Sequence, residues 1–317
     1  MSNHISVLLV GAGNMAREYC KVLQAQSIDV VVIGRGEEKA RILEQEFHIS
    51  VMTGGLTEGL RKLTSMPTHA IVTVNPIYLK DITNQLIEFG IKHILVEKPA
   101  GLCMSEVEEI ATHAKDNGAF VQVAYNRRYY SSVKKAREII EMDGGVDSFH
   151  FEFTEWSHVI EQLPKPKEEL DGWLFANSTH VIDLAFFLGG EPSQMNSFVS
   201  GELAWHKSGS NYAGAGVSTK HALFTYQANW AAPGRWAVEV LTKKHRLYLK
   251  PMEQLAIQKI GSVAIDSVSL DDTLDTEFKP GLYAMVEDFI LDRCDVRRVM
   301  IEEQVSHYHW FDQIAGL

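Results

Sequence analysis

The sequence predicts a two-domain α/β protein, with a doubly wound parallel sheet in the first domain and an open-faced, mostly antiparallel sheet in the second. Its 317 residues are about twice the length of a typical domain. Apolar runs alternate with helical patterns as far as residue 125, which is typical of a parallel sheet with helices on both faces. Beyond that point apolar and polar residues alternate, as in a sheet with one covered face. We therefore expect domains at 1–125 and 126–317.

The chain opens with a strand, a glycine-rich turn and a helix. Residues 5–10, ISVLLV, form a continuous apolar run, and the turn GAGNMA follows at 11–16. This order fits the G-x-G-x-x-G/A fingerprint of a Rossmann dinucleotide site. The first glycine allows a tight turn, the second lets the backbone approach a pyrophosphate, and the alanine allows close packing of the helix on the strand. The expected cofactor-binding residues of this turn are Gly11, Gly13, Asn14, Met15 and Ala16.

The end of the second strand, DVVVIG at 29–34, bears on the choice of cofactor. An Asp or Glu usually stands there when the ribose hydroxyls of NAD are bound, but Arg35 follows this strand. A guanidinium suits the 2′-phosphate of NADP, which a carboxylate would repel. The sequence therefore favours NADP, with NAD possible. In the alternative, Arg35 is a solvated loop charge and Glu37 binds the ribose.

Later strands of the first domain end in polar residues. Apolar runs at 70–74, 93–96 and 119–125 alternate with helical patterns, one of them at 104–117. Ligands of doubly wound sheets bind at the carboxyl ends of the strands. We therefore add five residues to the expected cofactor site: Asn75, Pro76, Glu97, Lys98 and Asn126.

The second half contains strands with one apolar face. In SFHFEFTE, at 148–155, the phenylalanines at 149, 151 and 153 share a face. Further β-rich segments are expected near 194–205, 219–230, 234–242, 245–249 and 254–260. An exposed aromatic face favours self-association, so we expect a homodimer or homotetramer formed through this sheet. In the alternative, the helices at 281–294 and 301–313 cover that face.

One apolar helix of the second domain carries polar groups, in ANSTHVIDLAFFLGG at 176–190. Asn177 or Ser178 is expected to cap it. His180 and Asp183 lie three residues apart and so on one side of the helix. A single HxxD pair lacks the further ligands that a metal ion needs, so we expect no metal.

Composition excludes several classes of protein. The net charge of −11 argues against a nucleic-acid or acidic-membrane partner, because phosphates require clustered Lys and Arg. The six-residue opening run is too short for a signal peptide or a membrane span. The three cysteines, Cys20, Cys103 and Cys294, are far apart. They indicate neither a disulfide framework nor a zinc site, and a cytoplasmic location is expected.

Four segments taken together resemble the glucose-fructose oxidoreductase / inositol dehydrogenase / MocA (Gfo/Idh/MocA) family. They are GAGNMA at 11–16, VEKPAG at 96–101, YNRR at 125–128 and HVIDLAFFLGG at 180–190. The resemblance implies an enzyme that transfers a hydride between NAD(P) and a carbinol or carbonyl carbon of a sugar, cyclitol or nucleotide sugar. It also implies that Lys98 and His180 are catalytic. The implied substrate-binding residues are Lys98, Arg127, Asn177, His180 and Asp183.

The expected chemistry needs a group that removes the hydroxyl proton as the hydride leaves the carbon. The imidazole of His180 is suited to this because histidine titrates near neutrality, and Lys98 would stabilise the developing alkoxide. Two positions depart from the family pattern. Ala176 stands where the family often has an aspartate, and Tyr78 stands near a common histidine. The alternative is therefore a catalytically inactive NAD(P)-binding sensor or regulatory protein of the same fold.

Overall fold

A computed structural model describes residues 5–317, and the chain divides into two compact units. Unit 1 consists of the residues up to Asn126 together with Leu274–Ser306. Unit 2 consists of Arg127–Thr273 and His307–Leu317. The sequence-based division places 274–306 in the second domain, whereas these residues pack with the first.

Unit 1 contains a seven-stranded sheet with the order β15-β6-β5-β4-β1-β2-β3. Every pair in it is parallel except β15 with β6. Its strands are β1 (Ser6–Val10), β2 (Asp29–Ile33), β3 (Val51–Met52), β4 (His69–Val72), β5 (His93–Glu97), β6 (Phe120–Ala124) and β15 (Val299–Met300). Its helices are α1 (Asn14–Ala25), α2 (Glu37–Phe47), α3 (Leu56–Lys62), α4 (Leu79–Phe89), α5 (Met104–Asn117) and α11 (Leu282–Leu291), with α10 (Thr273–Glu277) at its boundary.

The apolar runs become strands because the sheet is covered on both faces. Val7, Leu8 and Leu9 are completely buried although successive side chains point to opposite faces. In the sheet, β2 lies on one side of β1 and β4 lies on its other side, so the chain changes direction across the sheet at β1. This reversal of direction is the place where doubly wound sheets bind nucleotides. The predicted parallel doubly wound sheet is confirmed.

The segment 274–306 completes unit 1. Met300 of β15 pairs with Gln122 of β6, at the edge of the sheet. The Gln26 side-chain amide donates to the carbonyl of Tyr283 at 3.0 Å, beside α11. A two-residue strand has no periodicity that a sequence can reveal, which explains why this return is missing from the predicted division.

Unit 2 contains an eight-stranded sheet with the order β14-β13-β12-β11-β7-β10-β9-β8. Of its seven strand pairs only β7 with β10 is parallel, which confirms a mostly antiparallel sheet. The strands are β7 (Ser148–Glu152), β8 (Pro192–Ser200), β9 (Asn211–Ser218), β10 (Leu223–Asn229), β11 (Ala237–Leu241), β12 (His245–Leu249), β13 (Ala256–Lys259) and β14 (Asp266–Ser267). The helices are α6 (Ser131–Met142), α7 (Ser157–Ile160), α8 (Lys167–Asp171) and α9 (Thr179–Gly189), and α12 (Ile301–Ala315) begins in unit 1 and ends in unit 2.

The aromatic face of this sheet is covered within the chain. Phe149 and Phe151 are buried, and the Phe186 ring of α9 packs edge-on against both, at 6.0 and 5.4 Å between ring centres. Trp310 of α12 lies against Phe186 in turn, at 4.7 Å. The expected exposure of this aromatic face is therefore wrong, because α9 and the end of α12 bury it. The opposite face is open and carries Phe198, 72% exposed.

Membrane insertion has no candidate helix in the structure. Across residues 5–317, no helix is both long enough and apolar enough to cross a bilayer.

Candidate active site

A cavity of about 580 Å³ lies in unit 1, where the turns after β1, β2 and β4 meet. Four of the predicted cofactor residues line it, namely Gly11, Gly13, Arg35 and Asn75. The others do not line this cavity: Asn14, Met15, Ala16, Pro76, Glu97, Lys98 and Asn126. Ala16 is completely buried beneath the turn, as close packing of α1 on the sheet requires. Asn126 binds the chain elsewhere, with its side-chain amide donating to the carbonyl of Pro280 at 2.9 Å.

The two glycines of the turn are needed for different reasons. Gly11 has a φ of +121°, and a Cβ there would lie 2.5 Å from Thr73 Oγ1, so both conformation and space exclude a side chain. A Cβ on Gly13 would meet nothing within 4 Å, so space is open beside the residue that caps α1. An open backbone at a helix N-terminus suits a phosphate. The turn therefore fits the pyrophosphate of a dinucleotide.

Charged residues after β2 face the same cavity. Arg35, Glu38 and Lys39 line it, whereas Glu37, the alternative ribose ligand, does not. The Arg35 guanidinium lies 5.9 Å from the centre of the Tyr78 ring. Sequence reasoning missed Lys39 because it lies in the first turn of α2, beyond the strand end where the fingerprint places the ribose-binding residue.

The segment VEKPAG is held in place by buried hydrogen bonds within unit 1. The Tyr19 hydroxyl donates to Glu97 Oε1 at 2.8 Å, and burial, with the Glu97 charge in support, raises the pKa of Tyr19. The Gln304 amide donates to the Pro99 carbonyl at 3.0 Å. The Lys98–Pro99 peptide is cis, and Lys98 is only 9% exposed. The lysine is therefore on a fixed turn at the end of β5.

His180 lies at the start of α9, 8% exposed, and its ring centre is 6.3 Å from that of Trp236. Asn177 or Ser178 was expected to cap α9, but neither side chain does so. Both side chains donate to Glu155 Oε1, at 2.9 and 2.8 Å. The expected cap is absent because a π-helical turn, Leu174–Ser178, continues the helix in the N-terminal direction.

Asp183 does not face a cleft. It is completely buried, and its carboxylate accepts from Arg128 Nε at 2.9 Å and from Nη2 at 2.7 Å. Both oxygens are thus used inside unit 2. The structure does not support the predicted substrate contact of Asp183. Although it lies close to His180 on α9, its carboxylate forms an internal ion pair with Arg128.

Three further polar or aromatic residues of unit 2 were missed by sequence reasoning. Glu155 follows β7, and Arg235 and Trp236 precede β11. Because β7 and β11 pair antiparallel, with Glu152 opposite Ala237, the end of one strand meets the start of the other. The sequence shows Arg235 next to Trp236, but only the pairing of β7 with β11 shows that these two residues lie near Glu155.

Comparison with known proteins finds similarities to NAD-binding oxidoreductases. Residues 5–125 match the model of the Gfo/Idh/MocA oxidoreductase family, described as having an NAD-binding Rossmann fold. This first domain is therefore similar to the NAD-binding domain of Gfo/Idh/MocA oxidoreductases. Mouse trans-1,2-dihydrobenzene-1,2-diol dehydrogenase is 26% identical over 161 residues, which cover 50% of this chain and 47% of the mouse enzyme. The match thus spans about half the length of that relative.

Solved structures extend the likeness to both units. Levoglucosan dehydrogenase in complex with NADH and L-sorbose has a TM-score of 0.80 at 18% identity, covering 98% of this chain and 96% of that one. An oxidoreductase from Agrobacterium radiobacter, in complex with NAD⁺, L-tartaric acid and magnesium, has a TM-score of 0.81 at 10% identity, covering 98% and 95%. At such low identity these structures show a shared fold.

Proposed function

We propose that this protein is an NAD(P)-dependent dehydrogenase or reductase that acts on a carbinol or carbonyl carbon of a sugar, cyclitol or nucleotide sugar. The observation that carries the proposal is the glycine turn at Gly11–Gly13, open at a helix N-terminus where the sheet reverses direction. The match of residues 5–125 to an NAD-binding oxidoreductase family supports it, as does the likeness of the fold to that of levoglucosan dehydrogenase.

We infer that NADP is the preferred cofactor. Arg35 and Lys39 both line the cavity after β2, so two cations are available to a 2′-phosphate. Glu38 is the nearby carboxylate that would serve the ribose of NAD instead. The neighbours described with NADH or NAD⁺ make a comparison of both cofactors necessary.

The catalytic roles are assigned to Lys98 and His180. A bound nicotinamide would supply the hydride chemistry. The Lys98 ammonium, on a turn fixed by Gln304 and the Glu97 contact, binds the reacting oxygen and stabilises its developing negative charge. The His180 imidazole takes or returns the hydroxyl proton. With Ala176 unable to orient the imidazole as an aspartate does, we expect the nearby polar groups of unit 2 to serve this purpose.

Cofactor reduction in the presence of sugars tests the proposal. The protein is mixed with NADP⁺ or NAD⁺ and a panel of free sugars, cyclitols and nucleotide sugars, and absorbance at 340 nm is followed. A Lys98→Met variant should lose at least about 10²-fold in kcat, the usual scale of one electrostatic donor, while its affinity for the cofactor stays nearly unchanged. An exposed lysine, Lys115→Met, is the control. Cofactor binding without turnover on any substrate would favour a sensor or regulatory protein.

Self-association and location are proposed on separate grounds. The open face of the unit 2 sheet, with Phe198 and Leu223 63% exposed, is the surface through which we expect a homodimer or homotetramer to form. The cysteines are unpaired, with Cys103 and Cys294 exposed, which suits the reducing cytoplasm. Sedimentation analysis of a Phe198→Glu, Leu223→Glu double variant tests the first point.

A further inference from the structure

Two neighbouring arginines of unit 2 have opposite environments. Arg128 donates two hydrogen bonds, from Nε and Nη2, to the Asp183 carboxylate. In Arg127, by contrast, the Nε atom is buried and has no hydrogen-bond acceptor among residues 5–317. Burial lowers the pKa of Arg127, and Arg235 acts in the same direction against Tyr130, Glu253 and Glu155. A half-buried guanidinium whose buried Nε donor is unused favours binding of an anion.

A second arginine shares the same aromatic ring. The guanidinium carbons of Arg127 and Arg235 each lie 4.9 Å from the ring centre of Trp236. They are therefore no farther apart than about 10 Å, roughly one Debye length in 0.1 M salt, so an anion bound beside the ring is within the field of both charges. The buried indole Nε1 of Trp236 is another donor that finds no acceptor in the described chain. His180 stands beside the same ring, at 6.3 Å.

The nearby carboxylates do not neutralise the guanidinium groups of both Arg127 and Arg235. Glu155 is buried, and its Oε1 already accepts from Asn177 and Ser178. Its Oε2 lies 3.8 Å from Arg235 Nη1, too far for a hydrogen bond. Glu253 is exposed to water, which screens its charge. One buried carboxylate thus faces two guanidinium groups, in a protein whose overall charge is −11.

Space for a ligand adjoins the cluster. A second cavity, of about 510 Å³, is lined by Glu155, Trp156 and Gly234. Arg235 lies over the Trp156 ring, at 4.8 Å from its centre, and is 49% exposed at its side chain. A ligand can therefore reach Arg235 from solvent, and the indole face offers the apolar surface on which sugar rings pack.

We propose that the substrate carries an anionic group, a carboxylate or a phosphate, which Arg127 and Arg235 bind beside His180. The substrate class is then a sugar acid or a sugar phosphate. This inference rests on the proposed dehydrogenase function, since it assigns the specificity of that same site. Trp236 holds the two guanidinium groups in place and donates its indole N–H to the anion.

Binding and turnover of matched probes test the proposal. Calorimetry on the protein saturated with NADPH compares D-glucuronate, D-gluconate and D-glucose 6-phosphate with neutral D-glucose. At least one anionic probe should bind at least about tenfold more tightly than glucose, as expected for one charge-assisted contact. The acids and the phosphate separate the two anion types. Oxidation of the same probes is measured with NADP⁺.

Variants decide whether the two arginines are responsible. Arg235→Gln and Arg127→Met should each weaken binding of the anionic probe at least about tenfold more than they weaken binding of glucose, and the loss in turnover should appear mainly in KM. The matched control is Arg246→Gln, an arginine 44% exposed and paired with Glu239 on the same sheet. Equal binding of neutral and anionic probes, no binding of any anionic probe, or full binding in both variants would overturn the proposal. Turnover of neutral sugars alone would overturn the anionic-substrate proposal while leaving the dehydrogenase function intact. Tight binding of an anionic probe without any turnover would support the anion site but contradict the dehydrogenase function.

Discussion

Arg128 and Asp183 form an ion pair joined by two parallel hydrogen bonds, of 2.9 and 2.7 Å, inside unit 2. Their side chains are 4% and 0% exposed, so neither charge is hydrated by bulk water. His307 adds a third group, with Nδ1 at 3.7 Å from Asp183 Oδ1. The pair fixes the turn before α6 to the middle of α9, the helix that carries His180.

We predict that Asp183→Asn lowers the free energy of unfolding by about 3–5 kcal/mol, because it leaves a buried guanidinium without its counter-charge. Urea denaturation followed by circular dichroism measures the change. The control is Glu138→Gln, which removes the exposed pair with Lys135 and should cost under about 1 kcal/mol. A similar small cost for Asp183→Asn would contradict the structural role of the pair.

A second prediction contrasts the glycines of the cofactor turn. Gly11→Ala should destabilise the protein by about 1–3 kcal/mol, because its φ of +121° and the Thr73 contact both oppose a side chain. Gly13→Ala should leave stability within about 0.5 kcal/mol but weaken cofactor binding, since the new methyl group points into open space beside the phosphates. Denaturation and calorimetry with NADPH separate the two effects. Equal loss of stability in both variants would show that the second glycine also has a folding role.

A third prediction concerns cofactor choice. Arg35→Ser should raise the Kd of NADP⁺ about 10- to 100-fold, the loss of one or two hydrogen bonds to a charged group, and change the Kd of NAD⁺ less than about twofold. Calorimetry with each cofactor gives both constants. Arg41→Ser, at an exposed position of α2, is the matched control. If both cofactors weaken equally, Arg35 does not recognise the 2′-phosphate.

A fourth prediction links pH to the stability of unit 1. Burial, with a contribution from His93, lowers the pKa of His69 from 6.5 to about 4, while Asp292 opposes this. In the unfolded chain His69 then binds a proton near pH 6.5, whereas in the folded chain it binds one only near pH 4. Stability is therefore complete above pH 6.5 and falls as the pH drops towards 4, by up to about 3 kcal/mol.

The His69 effect is measured as the free energy of unfolding at pH 7, 5.5 and 4. In His69→Phe the fall should be smaller by most of that amount, and in His158→Gln, an exposed histidine, it should be unchanged. The same slope in the wild type and in His69→Phe would assign the pH dependence to other groups.

The parts of the fold that the sequence predicted well are those with strong local patterns. Strands such as β1 and β5 are buried on both faces, so they appear as unbroken apolar runs. β9, with the sequence NYAGAGVS, escaped notice because its small residues give no alternation. Its glycines are required by packing, since a Cβ on Gly214 would lie 2.4 Å from the Tyr226 ring, and such contacts depend on the neighbouring strand.

The candidate site was predicted where one strand end defines it, and less well where several elements do. Gly11 and Gly13 follow directly from the fingerprint, and Arg35 follows from its position after β2. The role of Asp183 depended on its partner Arg128, 55 residues away in the chain, which no spacing rule reveals. Similarly, Glu155 meets Arg235 only through the antiparallel pairing of β7 with β11. Spacing along the chain thus locates motifs, whereas pairing between strands determines which of their charges remain available.

The return of 274–306 to unit 1 has a consequence for protein synthesis. On the ribosome, residues up to Asn126 emerge before unit 2, but β6 then has no β15 beside it and α1 has no α11 to cover it. The nucleotide-binding unit reaches its full set of contacts only after residue 306 has been translated, when nearly all of unit 2 has already emerged. Unit 1 therefore begins to fold before unit 2 is translated and is completed after most of unit 2.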